Sequence, residues 1–590
     1  MIFSEPACLA IIPDHLLSAS ARQAVMTRAL FNGTTADELI LSEALMSEED
    51  YYRLVAQKLN LPFSPIPMRI TPPKYPSEAW QSRMVRLDSL HHPYEWLAAP
   101  KGRRLEHLLT QPMTSNEGIS NLVIATPRIL FTSIMQSTSE QATHKATHYL
   151  PQNNPDASCH GLCHDTNQRI VPLVIALILA LVLARMNISF STMATMLLGP
   201  VLLIRLIILA TRLPKPEPQH TALADHELPH YSILVPLYRE ANLIPQLLAS
   251  FRAMDYPVAR REILFLIEED DADTKQALTQ THLPYACHII TVAAGQPRTK
   301  PRALNVGLLF ATGPLIVVYD AEDRPEPQQW RKAARAFAAS PPETACLQAP
   351  LVIDNLDEGL FPHLFALEYA GLFDVVLPRL SHKKWPVALG GSSNHFRKEA
   401  LSKAMAWDAW NVTEDADLGL RLSSMGYHVG YLDSATYEDA PEHWRDWFMQ
   451  RRRWIKGWMM TASVHLKKPQ NFTNKAGWQN FGLLIYHSLG LVSAILFWPL
   501  TLIDVPYLFY TRAPNWQEGI VLLLPLLCSL PVLLWPLVQA SRLRNHPLSL
   551  KILLSLPFYF LCMTLAGWAG LFDFMKSPHH WNKTPHKPHG

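Results

Sequence analysis

Four short stretches of this 590-residue chain carry residue types whose spacing points to chemistry. The first is "GPLIVVYDAEDRPEP" from Gly313, in which an apolar run ends in Asp320, Glu322 and Asp323. Two carboxylates separated by one residue at a strand end suit an oxygen-ligated cation, Mg²⁺ or Mn²⁺, that also holds phosphates. The competing reading is a solvated acidic turn. The second stretch, "NVTEDADLGLRLSSMG" from Asn411, has Thr413 placed to cap a helix and the acids Glu414, Asp415 and Asp417 in its first turn. Capping and dipole compensation explain that pattern; so does an acid held ready to take a proton from a hydroxyl.

The third stretch, "EHWRDWFMQRRRWIKGWMM", sets Arg451, Arg452 and Arg453 among Trp444, Trp447, Trp454 and Trp458. Such a mixture is typical of a helix at a membrane interface. Yet consecutive residues on a helix point about 100° apart, so the three arginines cannot all face one lipid surface. At least one is expected to face inward, where a guanidinium can fork onto phosphate oxygens. Trp444 and some of the arginines would settle against lipid. The fourth stretch, "HYSILVPLYREANLIPQLL" from His230, reads as strand, loop and helix.

These residues need a scaffold. "EILFLIEEDD" from Glu262 and the run ending at Asp320 are two further strands that end in acid, and "KPRALNVGLLFA" from Lys300 opens a helix. Alternating strands and helices imply a mostly parallel α/β sheet, whose ligands bind beyond the carboxyl ends of the strands. The acids lie at those ends.

Composition adds a membrane. Hydrophobic residues make up 48% and charged residues only 17%, against about 25% charged in ordinary soluble chains. A formal net charge of +2 gives no global reason to expect a nucleic-acid partner. Seven scattered cysteines do not form a disulfide framework. The start "MIFSEPACLAIIPDHLL" lacks the basic and apolar regions of a cleaved signal peptide.

Apolar runs at 170–184, up to Ala210, and at 481–503, 519–539 and 551–572 are candidate spans, about five in all. Arg169, Arg185 and Arg205 would have to snorkel. Arg212 with Lys215, and Arg542 with Arg544 and Lys551, place the loops that bear them, and the middle domain, in the cytoplasm.

The expected organisation is a small α+β N-terminal cytoplasmic domain over 1–135, a linker over 136–168 and two spans over 169–211. A catalytic domain over 225–466, about three spans over 480–575 and a tail over 576–590 follow. In the N-terminal part, Ser47 and Asp50 are placed as a capping box. The linker holds Cys159, His160, Cys163 and His164, but ordinary zinc spacing would need a second cluster. An idle linker is expected.

The ordered set "VPLYRE", "YDAED", "TED" and "QRRRW" resembles the membrane-integrated family-2 glycosyltransferases, which include cellulose and hyaluronan synthases. The resemblance implies a nucleotide-diphosphosugar transferase (GT-A type) domain inserted between transmembrane helices. It also implies a divalent cation and inverting transfer of a sugar from a nucleotide-diphosphate donor, UDP-linked, to a hydroxyl acceptor on a polysaccharide or lipid. On that basis Asp415 would be the general base, and Asp320 and Glu322 would hold the metal. Tyr238, Glu240, Glu268, Glu269, Lys300, Arg302 and Asn305 would bind the donor. Glu414, Gln450, Arg453 and Trp454 would embrace the diphosphate and acceptor, with "LGGSSNHF" from Leu389 as an acceptor-side turn. Glu322 departs from the usual aspartate, and "EEDD" replaces the commoner Asp-Asp-Gly.

Residues 38–63 and "NLVIATPRILFTSI" resemble the N-terminal domain of type II secretion ATPases. The Arg-Leu-Gly start of that family's ligand motif is absent, so a cyclic dinucleotide is not expected, and the domain reads as a docking module for an envelope or secretion component. The expected location is the inner (cytoplasmic) membrane, multi-pass, with an exported polysaccharide as product. The alternatives are a single-addition transferase acting on a lipid and an inactive membrane scaffold.

Overall fold

A computed structural model describes residues 5–110, 121–167, 169–170, 190–214, 222–281, 283–467, 475–484 and 534–581, with isolated positions between them. The chain divides into two compact units, one of residues 1–146, 220–295 and 303–321 and another of 147–219, 296–302 and 322–590.

In the first unit the N-terminal residues form helices and a small sheet. Ser47 does cap a helix: its hydroxyl accepts from the backbone N–H of Asp50, and the helix runs Glu48–Leu59. The strands β1 (Phe63–Ser64), β2 (Met84–Arg86), β3 (Trp96–Ala98) and β4 (Leu122–Ala125) are ordered β1-β4-β3-β2. β4 is parallel to both of its neighbours, and β2 closes the edge antiparallel to β3. Tyr51, Tyr52 and Trp80 are fully buried there.

The same unit holds four strands of the α/β part: β5 (Tyr231–Leu237), β6 (Arg261–Glu268), β7 (Cys287–Val292) and β8 (Leu315–Val318). Their order is β8-β5-β6-β7, and every pair is parallel. β6 and β8 are buried at every residue, as a parallel sheet covered on both faces requires. That is why they read in sequence as unbroken apolar runs rather than as alternation.

The second unit contains β9 (Arg324–Pro325), β10 (Thr344–Gln348), β11 (Leu351–Ile353), β12 (Asn394–Arg397), β13 (His428–Tyr431) and β14 (Thr436–Glu438). β10 lies between a parallel β13 and an antiparallel β12. β14 lies between a parallel β11 and an antiparallel β9. Its main helices are Glu414–Ser424, Trp444–His465 and Leu550–Lys576.

The second and third of these helices pack along each other. Trp447 donates its indole N–H to the Tyr559 hydroxyl at 3.2 Å. A Cβ on Gly570 would come within 2.9 Å of the Arg452 carbonyl oxygen, so the two backbones run close together.

Two helices among the described residues are long and apolar enough to cross a membrane. Leu550–Lys576 contains the run expected at 551–572. Leu360–His382 lies inside the stretch read as catalytic domain and was not anticipated; its most apolar window is 61% buried, as the core helix of a soluble protein also would be. Residues 190–210 form a helix. The candidate spans at 170–184, 481–503 and 519–539 lie for the most part outside the described residues.

The segment read as an idle linker has structure. One helix runs Pro127–Asn153, and Cys159 is fully buried with its backbone N–H donating to the Asp408 carboxylate at 2.6 Å. His160 and His164 lie against Trp410, at ring separations of 4.7 and 5.0 Å. Within the second unit, Asp408 holds this segment by accepting from the Ser158 hydroxyl and the Cys159 N–H.

Candidate active site

In the first unit the carboxyl ends of β5, β6 and β8 present the residues assigned to the donor. Past β5, Tyr238 is half-buried and the Arg239 guanidinium lies 5.1 Å from its ring centre. Arg239 has a left-handed backbone, φ 57°, which costs a non-glycine residue energy unless neighbours enforce it. Asp271 does so: its carboxylate accepts from the Arg239 N–H and also caps the helix Ala272–Gln280 through Thr274. Glu240 is buried, and its N–H donates to Thr274 at 3.0 Å.

Three of the acids at the end of β6 thus separate into different tasks. Asp271 builds the turn. Glu269 is exposed and accepts from the Ala294 N–H at 2.9 Å, and Glu268 is buried at the strand end. Asn305, read as donor-binding, is buried and donates its amide to the Ala146 carbonyl at 3.2 Å. Asp320 is half-buried two residues beyond β8.

In the second unit Lys300, Glu414, Asp415 and Arg453 come together. The Lys300 ammonium donates to the Gly391 carbonyl at 2.7 Å. Glu414 is buried and Asp415 half-buried at the start of the helix Glu414–Ser424. Burial pushes both carboxyls up; the neighbouring Asp415 charge adds to the rise at Glu414, while Lys300 and Arg453 oppose it at both. Asp415 Oδ1 accepts from the Ala416 N–H at 2.8 Å, so this acid caps its own helix with one oxygen. Thr413, expected as the cap, stands at the cap position without capping, because its hydroxyl is turned toward Asn411 and Thr461.

The helix Trp444–His465 explains the three arginines by its four-residue periodicity, since residues four apart share a face. Thr461 meets Asn411 and Thr413, and His465 meets Asp417 at 2.9 Å. A Cβ on Gly457 would lie 2.3 Å from Thr413 Cγ2. Arg453, four residues before Gly457, is thereby carried to the acids. Burial alone would raise Asp417, but Arg421 and His465 outweigh it and hold its carboxyl low.

The second stripe pairs Arg452 with Asp573 through both of its carboxylate oxygens. On the same stripe the Lys456 ammonium donates to the His580 carbonyl at 2.6 Å, and burial lowers this lysine to about 8. The third stripe buries Trp447 and Arg451, with Arg451 donating to Glu368 at 2.6 Å and lying 4.5 to 5.5 Å from the ring centres of Phe365, Trp447 and Trp454. All three arginines meet protein groups, not the lipid surface expected for some of them. Trp444 is 42% exposed, in keeping with its outward reading.

Of the remaining assignments, Arg302 is buried. Trp454 lies face to face with Tyr369, ring centres 6.3 Å apart. The Gln450 side-chain oxygen is buried without a hydrogen-bond partner. Glu322 is half-buried, whereas Asp323 is only 1% exposed. Asp320, in the first unit, and Glu322, in the second, are each half-buried carboxylates, the ligand type that Mg²⁺ and Mn²⁺ take one or two of. Among the described residues no group of three acidic, histidine or cysteine side chains forms a self-sufficient ligand set.

No role was expected for Trp581, whose ring centre lies 5.7 Å from the Arg453 guanidinium, or for Gly457; Gly391 falls within "LGGSSNHF", read as the acceptor-side turn. The spacing Arg453, Gly457, Thr461, His465 was the available signal for the second of these.

A family model described as glycosyl transferase family group 2 matches residues 315–569. The probable glycosyltransferase YdaM of Bacillus subtilis is 28% identical over 235 residues, 39% of this chain and 56% of that protein. The beta-monoglucosyldiacylglycerol synthase of Synechocystis is 24% identical, over 41% of this chain and 52% of that protein. The chain thus spans about half the length of the curated relatives it matches. Among solved structures, the mannosyltransferase PcManGT of Pyrobaculum calidifontis aligns with 66% of this chain and 98% of its own at 18% identity, TM-score 0.44. In residues 315–569 the chain is thus similar to family-2 glycosyltransferases, and its parallel strands β5 to β8 belong to a mixed α/β fold.

Proposed function

We propose that the protein transfers a sugar from a nucleotide-diphosphate donor to a hydroxyl acceptor with inversion at the anomeric carbon. The observation that carries this reading is the pairing of Glu414 and Asp415 beneath Lys300 and Arg453. It joins a carboxylate base to cations suited to a leaving diphosphate. Asp415 Oδ2 takes the acceptor proton as the acceptor oxygen bonds to the anomeric carbon. The bond from that carbon to the diphosphate breaks on the opposite face, and its electron pair leaves with the diphosphate. Arg453 forks onto the departing oxygens. Asp320 and Glu322 would hold a divalent cation, which would supply further neutralisation of the diphosphate charge. Tyr238, Glu240 and Glu268 border the nucleoside.

The acceptor is a growing polysaccharide or a lipid, and the protein works at the inner membrane with its catalytic domain in the cytoplasm. The length and apolar character of Leu550–Lys576, and its packing on the Arg453 helix, support a site beside the bilayer. A relative named poly-beta-1,6-N-acetyl-D-glucosamine synthase, from Staphylococcus aureus, favours a polymer; the diacylglycerol synthase named above favours a lipid. Product sizing with labelled donor separates the two, since a single lipid species contradicts chain extension. The N-terminal α+β residues serve as a docking module.

The reading is tested by Asp415→Asn. General-base catalysis is worth about 10² to 10⁴ in rate, so nucleoside diphosphate release in the presence of acceptor should fall by about that factor at unchanged protein yield. Release near the wild-type rate rejects the assignment.

A further inference from the structure

β7 is an edge strand, paired with β6 alone among the described residues. Such an edge needs cover, and the helix Pro127–Asn153, which follows β4 of the N-terminal sheet, supplies it. Phe131 stacks on His288 at a ring separation of 4.3 Å, and Trp80 stands edge-on to both. Farther along, the Ser139 hydroxyl donates to the Thr291 carbonyl at 2.8 Å, and the Ala293 N–H donates to the Thr143 hydroxyl at 3.1 Å. From Phe131 to Thr143 a helix advances about 18 Å, at ~1.5 Å per residue. From His288 to Ala293 a strand advances about 17 Å, at ~3.3 Å per residue. The two therefore run side by side in the same direction, up to the rim where the strand-end acids lie.

At that rim the contact passes to Glu269. Its N–H donates to the Val292 carbonyl at 2.9 Å, and its carboxylate accepts from the Ala294 N–H at 2.9 Å. Val292 and Ala294 flank the residue whose own N–H rests on Thr143. Thr143 is 5% exposed and its bond to Ala293 is buried. A buried N–H stripped of its acceptor is costly, and the chain relieves that cost by shifting the 293–294 segment that orients Glu269. Ser139, Thr143 and Ala146 share one helix face by their spacing, and the Ala146 carbonyl accepts from the Asn305 amide. The point where the chain leaves β7 and the helix that carries Asn305 are thus held by the same face.

We propose that Thr143 is a positioning residue for the donor: through Ala293 and Ala294 it fixes the carboxylate of Glu269, which makes the N-terminal module part of the frame of the donor site. This rests on the transferase reading above and on the assignment of Glu269 to the donor. It adds a task for the N-terminal residues within their own chain, beside docking.

The test compares wild type, Thr143→Val, Thr143→Ser, Ser139→Ala, Glu269→Ala and the double variant Thr143→Val/Glu269→Ala in the full-length detergent-solubilised protein. UDP and GDP with Mn²⁺ are the probes in calorimetry. UDP-N-acetylglucosamine and GDP-mannose are the donors in steady-state release of nucleoside diphosphate. For whichever nucleotide wild type binds, Thr143→Val should weaken binding and raise the donor KM about tenfold, the worth of one hydrogen bond to a charged group. Its kcat should stay close to wild type, the pattern of lost binding that is uniform in ground and transition states. Thr143→Ser keeps the hydroxyl and should keep the wild-type KM. Ser139→Ala loses a bond from the same helix face to the same strand, but not the link to Glu269, and should also leave KM unchanged. In the Glu269→Ala background Thr143→Val should add nothing. Ala294→Pro removes the N–H that Glu269 accepts while leaving Thr143 in place, so it reads the link from its other end even where Thr143→Val fails to fold; its KM should rise alike. An unchanged KM in Thr143→Val or in Ala294→Pro overturns the proposal. So does an equal rise in Ser139→Ala, which assigns the effect to helix docking at large, and so do additive losses in the double variant. A wild type that binds neither nucleotide and consumes neither donor defeats the transferase reading itself and this inference with it.

Discussion

Gly457 lies against Thr413 so closely that an added Cβ would stand 2.3 Å from its Cγ2 and 2.6 Å from its hydroxyl. This contact sets the distance between the helix that carries Arg453 and the turn that carries Asp415. Gly457→Ala should therefore destabilise the protein by about 1 to 3 kcal/mol through overpacking and lower turnover together with it. Thr413→Ala removes the two nearest of the three clashing atoms and leaves its Cβ at 2.9 Å, so the double variant should recover part of each loss. A double-mutant cycle in urea unfolding and in donor turnover checks this; strictly additive losses would contradict the contact.

Glu414 bears on the pH dependence of stability. Its carboxyl is raised, first by burial and then by the Asp415 charge. The native state therefore holds a proton that the unfolded chain releases above the ordinary glutamate range, and stability falls as pH climbs from there toward the raised native value. Glu414→Gln mimics the protonated form. It should raise the melting temperature more at about pH 8 than at about pH 5, and thermal unfolding at the two pH values measures this.

Arg453 should be intolerant of lysine. A guanidinium presents a planar fork to phosphate oxygens where an ammonium presents a point charge, so Arg453→Lys should lower kcat by about tenfold or more. Folding should be little affected. Kinetics with saturating donor, beside a melting curve, distinguish this from a structural defect.

Arg452 should show the opposite pattern. Its guanidinium is 25% exposed and Asp573 10%, and the pair ties two helices together. Asp573→Asn should cost roughly 2 to 3 kcal/mol, the range for a charged hydrogen bond lost in a part-buried setting. The rate per folded molecule should change little. Denaturant unfolding and active-site titration together test the separation.

Chelation of divalent cations should abolish donor turnover, with Mg²⁺ or Mn²⁺ restoring it. Glu322→Asp should keep activity but change the preferred ion, because one methylene fewer moves the ligating oxygens. Glu322→Ala should weaken donor binding in calorimetry with added Mn²⁺. Unaltered binding in the alanine variant would remove Glu322 from the metal assignment.

What was legible in the sequence was whatever repeats along the chain. The apolar runs of β6 and β8 identified buried parallel strands, and the acids that end them marked the rim. The four ordered motifs brought the transferase domain with them. That three consecutive arginines cannot face one way was legible too, because it depends only on helical pitch. What faced those arginines was not legible: Glu368, Asp573 and the Glu414–Asp415 pair lie 83, 121 and about 40 residues away along the chain.

The division has one physical cause. Period and local composition are properties of neighbours in the chain, so the sequence by itself determined the strands, the helices and the chemical types available at their ends. Which acid caps a turn and which is left to take a proton depends on close approaches between distant segments. Only the tertiary structure gave Asp271 to Arg239, turned Thr413 away from its cap and seated Gly391 over one oxygen of Asp415, because burial and partner geometry exist only once the chain has packed.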